Sequence, residues 1–245
     1  MKQPLLYLYL MLAGVNLAAE YAQETWLIVL TKPLLLTVLA VWFYGRVRPL
    51  RGGFERLLLV GLVFSIGGDT LLLLVENGPR AELFFLLGLG SFLVAQLCYA
   101  GAFGQYPGAR REGLVVRQPA WALPGLLYLA AMLVVLWPGL GMGLRVPVAV
   151  YACAIVAMAT AALNLGGVAP SGPWRGLLVG VLLFVLSDSL IAWNKFVTPL
   201  PYARVGIMLT YLVGQLLIAY AGWRMAQVEK GGTRSRKWEV GSRKF

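Results

Sequence analysis

Long apolar runs separated by short polar breaks set the pattern of this chain. Eight stretches approach the roughly 20 mostly apolar residues that a helix needs to cross a bilayer core. They are residues 4–19, 26–44, 57–75, 83–103, 120–137, 144–165, 176–193 and 205–225. The breaks carry turn residues: Asn77-Gly78-Pro79, Pro107-Gly108, Pro170-Ser171-Gly172-Pro173 and Pro199-Leu200-Pro201. Connections this brief favour one compact bundle over separate domains. The pattern therefore predicts an all-α integral membrane bundle of eight transmembrane helices over residues 1–226. A basic, flexible tail is expected over residues 227–245.

Composition agrees with a bilayer as solvent. Hydrophobic residues make up 60% of the 245, and charged residues only 13%. That charged share is about half of what a soluble domain carries, too little polar surface to cover a core of this size. Lys2 followed by an apolar run and Ala18-Ala19 is a faint signal-peptide pattern. Cleavage is not expected, because seven equally apolar stretches follow and the first is read as the first helix.

The net charge of +11 is distributed as a topology signal. Sixteen Lys and Arg fall on the side that receives Lys2, the loops at 46–56 and 110–117, Arg175 and the tail. Four fall opposite: Arg80, Arg145, Lys195 and Arg204. This bias predicts both termini in the cytoplasm and attraction to anionic lipid. Basic residues dispersed over several loops do not form a nucleic-acid surface.

An internal repeat is visible. Gly61-Leu-Val-Phe-Ser-Ile-Gly-Gly-Asp69 in the third stretch matches Gly180-Val-Leu-Leu-Phe-Val-Leu-Ser-Asp188 in the seventh. Gln96 and Gln215 each follow their Asp by 27 residues. The offset of 119 residues spans four helices, and an even number of crossings predicts a parallel repeat, unlike the inverted repeats of many transporters.

Asp69 and Asp188 are the sharpest candidates for chemistry. Counted from the cytoplasmic end, each lies about twelve residues into its helix, roughly 18 Å deep and near the midplane. A carboxyl there is costly and faces a partner or a cavity. Two carboxyls brought together in such a place share one proton, which equips them as general acid and general base. Lys32, immediately before Pro33, is the other costly charge. It either snorkels outward or reaches an Asp and keeps it ionised.

Secondary candidates follow from helical spacing. Ser65 sits one turn before Asp69, within reach of a hydrogen bond to it. Asn16 and Glu20 share a face, as do Gln96 and Tyr99, and Tyr211 and Gln215. Lys195, beside Asn194, lies on the Asp188 face near the outer rim. Each of these serves equally well as interhelical glue or as site lining. The glycines favour close helix approach over phosphate binding, since none follows a strand.

The chain has no histidine, which excludes a Ser-His-Asp triad and removes the commonest zinc ligand. Cys98 and Cys153 read as unpaired thiols in apolar surroundings. No metal and no organic cofactor is expected.

Several motifs resemble those of the lysoplasmalogenase (YhhN-like) membrane proteins. They are Thr31-Lys32-Pro33-Leu34-Leu35, the Gly61-to-Asp69 motif, Gly88-Leu-Gly-Ser-Phe92 with Gln96-Leu-Cys-Tyr99, and Phe184-Val-Leu-Ser-Asp188-Ser-Leu-Ile-Ala-Trp-Asn194-Lys195-Phe196. The resemblance covers nearly the whole chain. Where the family often carries histidine this chain has Gln96, which cannot relay a proton in the same way. The resemblance implies hydrolysis of the vinyl ether bond of lysoplasmalogens to a fatty aldehyde and a glycerophospho head group. It implies a lysophospholipid substrate among membrane lipids. Compact loops without a retention signal favour a bacterial cytoplasmic membrane over an endoplasmic one.

That chemistry suits paired acids. Vinyl ethers hydrolyse through protonation of the carbon β to oxygen, giving an oxocarbenium ion. A neutral Asp supplies the proton, and an ionised Asp steadies the cation and orients water. Which Asp does which is open at this stage. A substrate whose head lies at the membrane surface would need a hydrated funnel to reach mid-membrane.

Two other readings stand beside this one. An intramembrane aspartyl protease needs a Gly-x-Gly-Asp motif, which Gly67-Gly68-Asp69 approximates and Leu186-Ser187-Asp188 does not. A lipid or small-molecule carrier also uses membrane acids.

Overall fold

A computed structural model describes residues 3–75 and 80–242, with side chains through Glu229. Its long helices are α1 (Pro4–Ala22), α2 (Thr25–Val47), α3 (Gly53–Leu73), α4 (Ala81–Gln105), α5 (Leu123–Leu136), α6 (Met142–Asn164), α7 (Ser171–Phe196) and α8 (Ala203–Ser242). Short 3₁₀ turns, Pro119–Ala122 and Trp137–Gly139, extend α5 at both ends. Among the described residues there is no strand. Eight helical segments are long and apolar enough to cross a membrane. The expected turn at Asn77-Gly78-Pro79 lies outside the described residues, as do the last three residues of the tail. Over residues 227–242 the backbone continues α8.

The helices outrun their apolar windows. α3 begins at Gly53 rather than 57, and α7 at Ser171 rather than 176. An apolar window stops at the first charge, but the first turn of a helix leaves its N–H groups free and welcomes polar residues. Glu55, for example, accepts the backbone N–H of Gly52 at 3.0 Å and closes the start of α3. The shift moves the site. Asp69 lies four residues before Leu73, about 6 Å along the axis from the end of α3. Asp188 lies eight residues before Phe196, about 12 Å from the end of α7. Asp69 therefore sits nearer the end of its helix than the 57–75 window suggests, and Asp188 farther from the end of its helix than the 176–193 window suggests.

Six helices form a ring. α2 packs on α3, α3 on α4, α4 on α6, α6 on α7, α7 on α8, and α8 returns to α2. α1 lies outside against α2 and α8, and α5 lies outside against α6. Burial follows from this order: 6% of the fifth span is buried inside the protein, against 50% of the last. α5 is thus the helix most open to lipid.

Glycine sets the closest contact. A Cβ on Gly180 would lie 2.9 Å from the Gly214 carbonyl oxygen, and one on Gly214 would lie 2.9 Å from that of Gly180. The α7 and α8 backbones touch at this crossing, as small residues allow between membrane helices. Pro33 lies inside α2 and cannot donate a hydrogen bond to the preceding turn, which loosens the helix beside Lys32.

Candidate active site

Two hydrogen-bonded clusters hold the two aspartates. Asp69 on α3 is 3% exposed and accepts a bond from the Tyr211 hydroxyl on α8, 2.8 Å from Oδ2. One turn further along the same helices, Gln215 Nε2 donates to Ser65 Oγ at 3.1 Å, and the Tyr99 hydroxyl donates to Gln215 Oε1 at 2.8 Å. Residues four apart share a helix face, so Asp69 and Ser65 meet Tyr211 and Gln215 as two successive rungs. Ser65 itself donates to the Gly61 carbonyl at 2.9 Å and does not bond to Asp69, because its side chain turns back along its own helix.

Asp188 on α7 is held from the other half of the ring. The Tyr151 hydroxyl on α6 donates to Oδ2 at 2.6 Å, and Gln96 Nε2 on α4 donates to the same oxygen at 3.1 Å. The Gln96 carbonyl oxygen is buried without a hydrogen-bond partner. Next along α7, Ser189 and Tyr128 bond through their hydroxyls at 2.6 Å. In both aspartates Oδ2 takes the hydrogen bonds of the cluster, and Oδ1 makes none among the described residues.

No hydrogen bond joins the two carboxyls among the described residues. The sequence suggested a pair sharing a proton directly. Instead each has its own phenol, Tyr211 for Asp69 and Tyr151 for Asp188.

Two cavities lie beside these clusters, with Asp188 in the lining of one and Asp69 in the lining of neither. One, of about 80 Å³, is apolar and is lined by Phe85, Met132, Leu136, Val148, Tyr151 and Asp188, among others. Asp188 is the sole charged residue in that lining. The other, of about 170 Å³, is lined by Glu20, Lys32 and Arg204 at the end of the bundle where α1 ends and α8 begins. Leu72 and Ile191 line both cavities and form the partition between them. Leu72 lies three residues after Asp69 and Ile191 three after Asp188, so each acid sits one turn from the partition.

The remaining candidates have varied settings. Asn16 is fully buried and donates to Thr31 Oγ1 at 2.8 Å, tying α1 to α2. Glu20 pairs with Arg204 at 3.5 Å. Asn194 Oδ1 accepts the Leu200 N–H at 2.8 Å and so shapes the α7–α8 turn rather than the acids' surroundings. Lys195 rests its ammonium 4.3 Å from the Phe85 ring, at a residue that lines the apolar cavity.

Sequence reasoning missed Tyr151, Tyr128 and Arg204. Tyr151 carried one signal: it follows Lys32 by 119 residues, the repeat offset, but a change of residue type hid the match. Arg204 had only been counted as a charge on one side of the membrane.

Known proteins place the chain. The model of the YhhN family matches residues 27–222. Human lysoplasmalogenase TMEM86A is 41% identical over 167 residues, covering 66% of this chain and 63% of that protein. Human lysoplasmalogenase TMEM86B is 35% identical over 211 residues, covering 82% of this chain and 78% of that protein. A lysoplasmalogenase of Mycobacterium tuberculosis is 33% identical over 168 residues, covering 68% and 60%. The chain thus spans just under two thirds of the length of the first of these relatives. No solved structure matches it. A family match over four fifths of the chain, on a bundle of eight membrane-length helices, identifies this protein as a member of the YhhN family.

Proposed function

We propose that this protein is a membrane-embedded hydrolase that cleaves the vinyl ether bond of lysoplasmalogens, with Asp188 as general acid and Asp69 as its ionised partner. Relatives named lysoplasmalogenase in mammals and bacteria support the activity. One observation carries the mechanism: each aspartate lies one turn from the Leu72–Ile191 partition between an apolar cavity and a charged one. A single-chain lipid laid across that partition has its chain on the Asp188 side and its vinyl ether between the two acids.

The assignment of roles follows from charge. Asp188 lines an apolar cavity without a cation in its lining, where the neutral acid costs least. Lys32 lines the charged cavity together with Leu72, one turn from Asp69, and a cation on that side favours a carboxylate there. Asp188 gives its proton to the β carbon of the alkenyl chain, and the α carbon becomes an oxocarbenium carbon. The Asp69 carboxylate stabilises that cation and takes a proton from the water that adds to it. The hemiacetal then releases aldehyde and glycerophospho alcohol, and the proton on Asp69 restores the acid. Tyr151 and Tyr211 hold the reacting carboxyls in place through their Oδ2 atoms.

The parallel repeat supports the same reading. Lys32 and Tyr151, Leu72 and Ile191, and Asp69 and Asp188 are each 119 residues apart, and the ring order repeats over four helices. The Lys and Arg bias supports both termini on the cytoplasmic side of the membrane.

Purified protein given a lysoplasmalogen is expected to release aldehyde. Asp69→Asn and Asp188→Asn should each lower the rate at least about a hundredfold while the thermal unfolding profile in detergent is retained. Normal turnover by either variant removes the paired-acid mechanism. Lipid movement between leaflets without aldehyde would make the protein a carrier.

A further inference from the structure

α5 lies outside the ring, yet Tyr128, Met132 and Leu136 on it line the apolar cavity. The wall between α6 and α7 therefore has a window at that level, and α5 fills it. Tyr151 of α6 and Asp188 of α7 line the same cavity, so the window gives on to the acid itself. Other seams of the ring are keyed together by glycine. A Cβ on Gly61 or Gly68 of α3 would collide with Tyr99 or Phe92 of α4, and Gly180 and Gly214 bring α7 and α8 into backbone contact. α5 is held to α7 more lightly, by apolar packing of Leu136 near Ala192 and Phe196 and, among the described residues, by one hydrogen bond. Ser189 Oγ gives its proton to the Val185 carbonyl at 2.6 Å, so the Tyr128 hydroxyl is the donor in the 2.6 Å bond to Ser189.

Size and space add to this. An apolar cavity of about 150 Å³ holds one benzene, so the cavity of about 80 Å³ beside Asp188 does not enclose a long alkyl chain unless its wall opens. The opposite side of α5 borders an open apolar groove of about 540 Å³, lined by Leu126 and Leu129 of α5 and by Cys153 and Val156 of α6, which leaves the helix room to shift. We propose that α5 is the shutter of a lateral portal, through which a single-chain lipid passes its alkyl chain from the bilayer to Asp188, with the Tyr128–Ser189 bond as the latch. The portal rests on the vinyl ether reading for the fate of the chain, but entry can be followed without catalysis.

The test uses the full-length protein in detergent, with Cys98→Ala, Cys153→Ala, Tyr128→Cys and Ser189→Cys. A short bis-methanethiosulfonate joins the two thiols across the latch, and dithiothreitol releases them. The probe is a non-hydrolysable 1-O-alkylglycerol with a diazirine on its alkyl chain, photolysed at set times after mixing. In the unbridged protein the label is expected on residues that line the cavity, such as Met132, Ala152 and Ala192. The bridge should slow its arrival at least about tenfold, as when binding waits on a conformational change, and dithiothreitol should restore it. Two singly attached propyl groups, which add bulk without a tether, should slow it far less. Tyr128→Phe in the otherwise unaltered chain should speed arrival about two- to tenfold, the worth of one interhelical hydrogen bond. No change in that variant would remove the latch. Label that arrives undelayed in the bridged protein, is delayed equally by the untethered groups, or never reaches these residues would overturn the portal. Uptake without aldehyde release would keep the portal and remove the hydrolase reading. Aldehyde release undiminished by the bridge would do the reverse.

Discussion

Gln96 Nε2 donates to Asp188 Oδ2 at 3.1 Å, so the glutamine that follows Asp69 by 27 residues serves the other aspartate. Tyr211, from the second half of the chain, serves Asp69 in return. Each acid therefore takes a hydrogen bond from the half of the chain that does not carry it, and Asp188 takes a second from Tyr151 in its own half. Gln96→Leu is expected to lower kcat by about two- to tenfold, the worth of one hydrogen bond to a neutral acid, with KM little changed. An undiminished kcat in that variant would remove Gln96 from the mechanism.

The two aspartate clusters share no hydrogen bond among the described residues, which makes their contributions to stability separable. Tyr211→Phe and Tyr151→Phe each leave a buried carboxyl without its phenol and should cost about 1–3 kcal/mol. Thermal or denaturant unfolding in detergent reads this. The losses in the double variant should sum to within about 0.5 kcal/mol. A much larger departure would mean that the clusters act as one network.

Ala192 lines the apolar cavity one turn beyond Asp188. Ala192→Trp should fill the space assigned to the alkenyl chain and raise KM for a long-chain substrate about tenfold. A substrate with a chain of a few carbons should be far less affected. If chain length makes no difference to the variant, the chain lies elsewhere.

The charge bias predicts a cytoplasmic end of α8 and an α7–α8 turn on the opposite side of the membrane. In a chain with Cys98 and Cys153 replaced by alanine, Ser242→Cys should resist a membrane-impermeant maleimide in intact cells and react once they are opened. Tyr202→Cys should react in intact cells. The reverse pattern would invert the topology.

Much of the architecture is a local property of the chain. Twenty apolar residues in a row demand a helix in lipid, because only a helix satisfies its own backbone there. The eight spans were therefore legible from residue type alone, to within a few residues at their ends. So were Asp69, Asp188 and Lys32, since a charge among apolar neighbours stands out wherever its helix lies.

Partnership was not legible, because it depends on how helices rotate and slide against one another. Ser65 has Asp69 one turn away in sequence, yet packing gives it Gln215. Tyr151 and Arg204 look unexceptional in sequence and acquire meaning only where α6 meets α7 and α8 meets α1. The Gly180–Gly214 contact illustrates the reason: backbone contact between α7 and α8 sets their register, and register decides which side chains meet. The sequence determined which residues are costly in a membrane; the tertiary structure decided which of them face one another and which cavities they border.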